Sequence, residues 1–315
     1  MGSRIVRKRS FVFAFCIISL VYILGVIVLD EQLNFDILDV IKVEDVVLIL
    51  SLFTLSIFSR YVRWHLLMLG HGISHHFSKG FFFYVAGFAY TATPGKVGEL
   101  SRIVHYRSVG VSSDVVISSF IIERFFDLVV VLVMASAIFI LFPQLWIVAF
   151  AIIVIIGVIF IFTANIHLSK GICRKLVRVK SPRLARFSCL VYKVLLNINQ
   201  RLSLKVSLSC LLLGVAAWTC TSFILVYSCY MLGIDLPYLQ LISVYPTAML
   251  AGAVSFVPGG VGATEAVIVF ILNKFEASIP IASTVALLVR FSTLWLAVLV
   301  GGGCSLVSAF LVSNR

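Results

Sequence analysis

The sequence predicts an all-α polytopic membrane protein with about six full transmembrane helices and two broken, re-entrant segments, arranged as inverted-topology repeats. Three observations carry that expectation: the composition, the segregation of charge along the chain, and a Gly-rich motif that recurs. Of the 315 residues, 61% are hydrophobic and 12% charged, and the mean hydropathy is +1.14. A soluble domain carries about 25% charged residues, so this chain lacks the charge to coat a water-facing surface. A soluble enzyme, a disordered regulator and a small disulfide scaffold are excluded.

The elements follow from counting apolar runs of about 20 residues. Residues 11–29 follow a basic leader of Arg4, Arg7, Lys8 and Arg9. The run exceeds a signal-peptide core, and Leu29-Asp30-Glu31 offers no small-residue cleavage site, so it reads as a retained span. Residues 46–69 return inward, with Arg60 and Arg63 near the cytoplasmic end. Residues 81–93 are apolar but too short to cross, and they stop at Pro94-Gly95, as a re-entrant half-helix would. Residues 115–142 cross outward, 145–164 inward and 206–232 outward. Residues 238–257 form the second interrupted segment, halting at Pro258-Gly259-Gly260, and 282–312 form the last span. The whole is one transmembrane domain, 1–315, with repeat 1 at about 46–142 and repeat 2 at about 206–312.

The net charge of +12 is distributed as membrane topology demands. Ten of the 25 basic residues lie in 165–205, a stretch without Asp or Glu, whereas six of the 13 acidic residues lie in 30–45. Basic loops are held on the cytoplasmic side, which places both termini and 165–205 in the cytoplasm of a plasma or inner membrane. Such a loop can also touch anionic headgroups, and the pattern argues against nucleic acid as a partner. The seven cysteines include no CxxC pair, so neither a disulfide framework nor a metal knuckle is indicated. His65, His71, His75 and His76 have no thiolate or carboxylate near them in sequence and read as a solvated loop rather than a metal site. No cofactor is expected.

Pro94-Gly95-Lys96-Val97-Gly98-Glu99 recurs as Pro258-Gly259-Gly260-Val261-Gly262-Ala263-Thr264-Glu265. With the glutamates aligned, Arg124 and Arg290 each follow at an offset of 25, each beginning an Arg-Phe-x-x-Leu pattern. The first broken segment enters from the cytoplasm and the second from outside. Inverted repeats with discontinuous helices are the plan of many secondary transporters, whose substrates bind near the midplane.

Glu99, Glu123, Arg124, Asp127, Glu265 and Arg290 lie in or beside apolar segments, where an ion costs about 2.5–3.5 kcal/mol on insertion scales. They persist there either by knitting the two repeats together or by lining a cavity for an anionic ligand. Asp127 stands three residues after Arg124 and can pair with it along one helix face. Gly95 and Gly98, with Gly259, Gly260 and Gly262, would leave backbone N–H groups open to phosphate oxygens. Neither copy carries the GK[ST] ending of a P-loop, so nucleotide hydrolysis is unsupported. Lys96 adds positive charge to the first motif, and Arg102 and Arg107 extend it on the cytoplasmic side.

Pro94-Gly95-Lys96-Val97-Gly98-Glu99-x-x-Arg102, then Glu123-Arg124-x-x-Asp127, then Pro258-Gly259-Gly260-Val261-Gly262-x-x-Glu265 and Arg290, together resemble the motifs of the lysylphosphatidylglycerol synthase transmembrane-region family. The resemblance implies a flippase-like membrane domain. In fused members a cytosolic aminoacyl-transferase domain follows; here the chain ends after the last span, which implies the translocation half alone and no enzymatic activity. The expected function is transfer of an anionic phospholipid or polyprenyl-phosphate-linked lipid between leaflets. Glu99 and Glu265 would orient the loops or relay protons, and Arg124 and Arg290 would hold the phosphate or lock the repeats. The alternative is a non-catalytic subunit that organises a glycosyltransferase or envelope-assembly complex; the expected partners are membrane lipids and a lipid-modifying or glycosyltransferase protein.

Overall fold

Long apolar runs without internal breakers become long helices, and the Pro-Gly motifs become the points where helices stop. The computed structural model describes residues 41–73, 76–164, 170–171 and 182–313. The expected span 11–29, most of the acidic segment and residues 172–181 lie outside the described residues. The helices are α1 (Val43–Gly70), α2 (Phe77–Ala86), α3 (Arg102–Arg107), α4 (Ser113–Leu141), α5 (Trp146–Ala164) and α6 (Pro182–Arg201). They continue with α7 (Leu204–Met231), α8 (Tyr238–Val254), α9 (Ala263–Lys274), α10 (Ile279–Arg290) and α11 (Leu296–Ser313). No strand occurs among the described residues.

Among the described residues, five stretches are long and apolar enough to cross a membrane: Val43–Gly70, Ser113–Leu141, Pro143–Ile161, Leu204–Met231 and Ile279–Ser308. These coincide with the five expected full spans that fall within the described residues. A helix of 28 residues such as α1 is about 42 Å long, enough to cross a hydrocarbon core of about 30 Å. At ten residues α2 reaches only about 15 Å, and it passes into tight 3₁₀ turns at Gly87–Tyr90 and Pro94–Ser101.

The interior is built by α1 against α7, α4 against α8, and α7 against α8, with α11 laid on α2 and on the Gly87–Tyr90 turn. Lipid tails are as apolar as leucine, so helices associate here through close packing and buried polar contacts rather than through expulsion of water. Ser56 Oγ on α1 donates to the Ala217 carbonyl on α7 (3.0 Å), and Gly214 leaves room beside it for the Arg63 guanidinium. The helix α5 lies at the edge. Apart from Ile152, none of its described side chains is buried, which is the profile of a lipid-facing helix.

Gly301 shows how tight the α11 contact is. A Cβ there would meet the Ala89 nitrogen at 2.3 Å and the Phe88 carbonyl carbon at 2.7 Å, both backbone atoms that cannot swing aside. Gly301→Ala should therefore cost about 1–3 kcal/mol as an overpacking change. Gly302→Ala, with open space around its Cα, should be neutral. Thermal unfolding of the two variants in detergent checks this pair.

The structure corrects three boundaries. The basic stretch 165–205 is not loop throughout: α6 occupies Pro182–Arg201. Its Leu190, Val194 and Ile198 recur every four residues and pack on Leu67, Ile122 and Phe126, while Asn197 donates to Asp114 at 2.9 Å. The eighth helix ends at Val254 rather than 257, because Phe256 adopts a left-handed φ of 55° that stops it. The last span starts at Ile279, three residues early, and carries a π-helical turn at Phe291–Trp295 directly after Arg290. Residues 263–281, to which the sequence assigned no helix, hold the short helix α9.

Candidate functional site

The two Gly-rich turns meet in space. Turn Pro94–Ser101 packs against turn Pro258–Gly260, and a Cβ on Gly259 would lie 3.3 Å from that of Ala92. The first turn needs left-handed backbone at Gly95 (φ 60°) and at Lys96 (φ 55°). The second needs it at Gly259, Gly260 and Gly262. Glycine adopts this conformation freely, whereas Lys96 is held there at a cost, a condition that recurs at functional sites.

The turns satisfy their own donors. Gly98 N–H donates to Thr93 Oγ1 (2.7 Å), Gly260 N–H to the Val257 carbonyl (2.9 Å), and Gly262 N–H to Glu265 Oε2 (2.8 Å). The expectation that these three amides stand open to phosphate is therefore corrected: where water is scarce, a backbone donor left unpaired is costly, and the turn folds so as to use it. Positive charge comes from side chains instead.

Those side chains form a buried ionic network on α1, α3, α4 and the first turn. Arg63 is fully buried and bridges Glu123 (3.2 Å) and Asp127 (2.9 Å). Arg102, also fully buried, bridges Glu99 (2.8 Å) and Glu123 (3.4 Å), its guanidinium lying over the rings of Trp64 and Tyr84. Arg124 uses one terminal nitrogen toward Asp127 (3.0 Å), Glu123 (3.4 Å) and Glu99 (4.0 Å). Tyr84 and Trp218 donate to Glu123 and Asp127 respectively, at 2.5 and 3.1 Å, and Thr91 donates to Glu99 at 2.8 Å.

The second motif is held by a single clamp. Arg290 Nε donates to Glu265 Oε1 (2.8 Å) and its terminal nitrogen to the Gly259 carbonyl (2.6 Å), tying the start of α9 to the Pro258–Gly260 turn. The repeat-equivalent arginines therefore differ. Arg290 grips its glutamate closely, whereas Glu99 takes its close partner from Arg102, and Arg124 reaches it only at 4.0 Å.

A cavity of ≈ 330 Å³ opens where the turns meet. Ligand pockets run to about 300–1,000 Å³, so this one falls at the lower end. Its polar wall includes Lys96, Glu99, Arg124, Asp127 and Arg290, and Thr264 offers a buried hydroxyl with no hydrogen-bond partner. Its apolar wall includes Phe53, Ile57, Val131, Ile152 and Met249. Leu128 and Leu294, the leucines of the two Arg-Phe-x-x-Leu patterns, both line it.

The structure brings most of the residues singled out in the sequence to one place. Pro94, Gly95, Lys96, Gly98 and Glu99 come together with Pro258, Gly259, Gly260, Gly262 and Glu265, flanked by Glu123, Arg124, Asp127 and Arg290. Arg102 belongs to it as a fully buried group, whereas Arg107 is exposed and donates to Ser113. Arg60 and Arg63, read in sequence as topology markers, are buried members of the network. Trp218 was missed altogether. Of the histidines, His65 packs on Phe77 and His71 lies 3.5 Å from Ser118, His75 lies outside the described residues, and no metal-binding cluster occurs among those described.

Long apolar helices, with paired Gly-rich turns and a charged cavity at their junction, define a polytopic α-helical membrane protein. The chain belongs to the lysylphosphatidylglycerol synthase TM region family, whose model matches residues 11–301. Among curated proteins none matches the chain.

Proposed function

We propose that the protein moves an anionic phospholipid or polyprenyl-phosphate-linked lipid between the leaflets of the membrane, with the two broken segments acting as inverted, re-entrant halves around the headgroup path. One observation carries this reading. The cavity joining the two turns is lined both by guanidinium and ammonium groups and by aliphatic and aromatic side chains. That combination suits a molecule that carries both a phosphate and hydrocarbon, and an arginine fork suits phosphate geometry. Neither repeat carries a nucleotide-binding motif, so the gradient of the lipid itself or of an ion is the driving force this reading assigns.

Membership of a membrane-domain family supports the location, and the segregated basic stretch 165–205 supports cytoplasmic termini. Single cysteines introduced at Asn34 and Ser181 should react with an impermeant reagent from opposite sides; labelling of both from one side would remove the inverted arrangement. The function itself is tested in liposomes containing the purified protein and a headgroup-labelled lipid. Accelerated leaflet exchange of an anionic lipid is expected. No acceleration for any anionic lipid, with the protein folded, would favour the non-transporting subunit instead.

A further inference from the structure

The charges around the cavity do not balance, and the imbalance is localised. The network and the clamp together hold six cations, Arg60, Arg63, Lys96, Arg102, Arg124 and Arg290, against four carboxylates, Glu99, Glu123, Asp127 and Glu265. Those lining the cavity itself are four cations (Arg60, Lys96, Arg124 and Arg290) and two carboxylates (Glu99 and Asp127). Among the described residues, either count leaves an excess of two positive charges.

Pairing shows which two. Arg290 is matched to Glu265, and Arg63, Arg102 and Arg124 each lie within 3.0 Å of a carboxylate. Arg60 reaches only Asp127, at 3.7 Å, an oxygen pair that Arg63, Arg124 and Trp218 already occupy more closely. Lys96 makes no ion pair with any described residue within 4.0 Å. Both unmatched cations centre on the same indole: the Arg60 guanidinium lies 4.7 Å, and the Lys96 ammonium 5.9 Å, from the Trp218 ring centroid. Two cations without a close carboxylate in a low-dielectric interior are unfavourable, and an anionic partner relieves that cost.

We infer that Arg60, Lys96 and Trp218 form the seat for the ligand's charged group, and that this group is a dianion: a terminal phosphate or diphosphate on a lipid, not a phosphodiester of single charge and not an aminoacylated, cationic headgroup. A phosphodiester would leave one buried cation unmatched, and an aminoacyl ester would add a cation to a site already in excess. The inference rests on the lipid-binding reading of the cavity, but it concerns equilibrium binding, whereas that reading concerns movement.

The test uses the full chain in nanodiscs of a zwitterionic lipid doped with one of four lipids at equal fraction: diacylglycerol phosphate, a polyprenyl phosphate, phosphatidylglycerol or lysyl-phosphatidylglycerol. Lipid retained on the protein is counted by native mass spectrometry. Retention of at least one terminal-phosphate lipid should exceed that of phosphatidylglycerol by about tenfold, the scale of one close charge pair. Whether the diacyl or the polyprenyl form leads identifies the source of the phosphate. Lys96→Gln and Arg60→Gln should each bring that ratio close to one, Lys96→Arg should keep it, and Arg107→Gln, outside the cavity, should leave it unchanged. Equal retention of phosphatidylglycerol and both terminal phosphates, preferred retention of the lysyl lipid, or a ratio indifferent to Lys96→Gln in folded protein would each overturn the inference. Selective binding without leaflet exchange would keep it and remove the transport reading; exchange without selectivity would do the reverse.

Discussion

Arg63→Met is expected to be the most damaging single change in the protein. The guanidinium is fully buried, bridges two carboxylates and has Gly214 cut away to admit it. Methionine fills much of the same volume but removes the closest ion-pair partner of both Asp127 (2.9 Å) and Glu123 (3.2 Å), and leaves their desolvated oxygens only the more distant contacts of Arg102 and Arg124. Breaking a buried pair in this way costs about 3–5 kcal/mol, on the order of 10 °C in unfolding temperature for a chain of this size. The paired variant Arg63→Met with Asp127→Asn removes one charge of each sign and should recover most of the loss. It leaves the wider network with the same excess of two cations, five against three, although the cavity wall itself loses the Asp127 carboxylate. Thermal unfolding in detergent, read with the amount of protein reaching the membrane, checks both. An unchanged midpoint for the single variant would mean that the ionic network carries little of the fold.

The second large effect separates the two repeat arginines. Arg290 needs its planar fork, because Nε and a terminal nitrogen serve different acceptors, Glu265 and the Gly259 carbonyl. Arg290→Lys keeps one contact and loses the other. A hydrogen bond to a charged group contributes about 1.5–3 kcal/mol, so the membrane level and the midpoint should both fall. Arg124 instead faces three carboxylates with a single nitrogen, a task an ammonium can perform. Arg124→Lys should therefore accumulate normally. Equal losses in the two variants would restore the simpler symmetry that the sequence offset suggests.

That contrast shows where the sequence is legible and where it is not. Spans follow from unbroken apolar runs, and the turns follow from Pro-Gly pairs, because both are local consequences of composition. The meeting of the two turns was legible too, since a repeated motif with an equal downstream offset implies a shared site. Partner choice was not. Nothing in the spacing says that Glu99 takes Arg102 more closely than Arg124, because that depends on the 3₁₀ geometry of Pro94–Ser101, which brings residues three apart together. Arg60 and Arg63 were visible as charges inside an apolar run, but a position near one end of a span supports a topology reading as readily as an interior one. Ser56, Arg60 and Arg63 recur at helical spacing of four and three, and that common face was the available signal. The helix α6 was hidden by its charge, although Leu190, Val194 and Ile198 already trace one stripe.

The central claim is that the cavity between the two Gly-rich turns is the path of the lipid headgroup, and obstructing it tests that claim most directly. Ala253 lines the cavity and is itself exposed, so Ala253→Trp narrows the space without overpacking the core. Ile153→Trp, on the lipid-facing side of α5, adds the same bulk elsewhere. Leaflet exchange of a headgroup-labelled anionic lipid is measured in liposomes with each variant and the unaltered protein at matched amounts. Ala253→Trp is expected to lose most of the exchange while Ile153→Trp retains it. Full exchange by a folded Ala253→Trp protein would place the path somewhere other than this cavity.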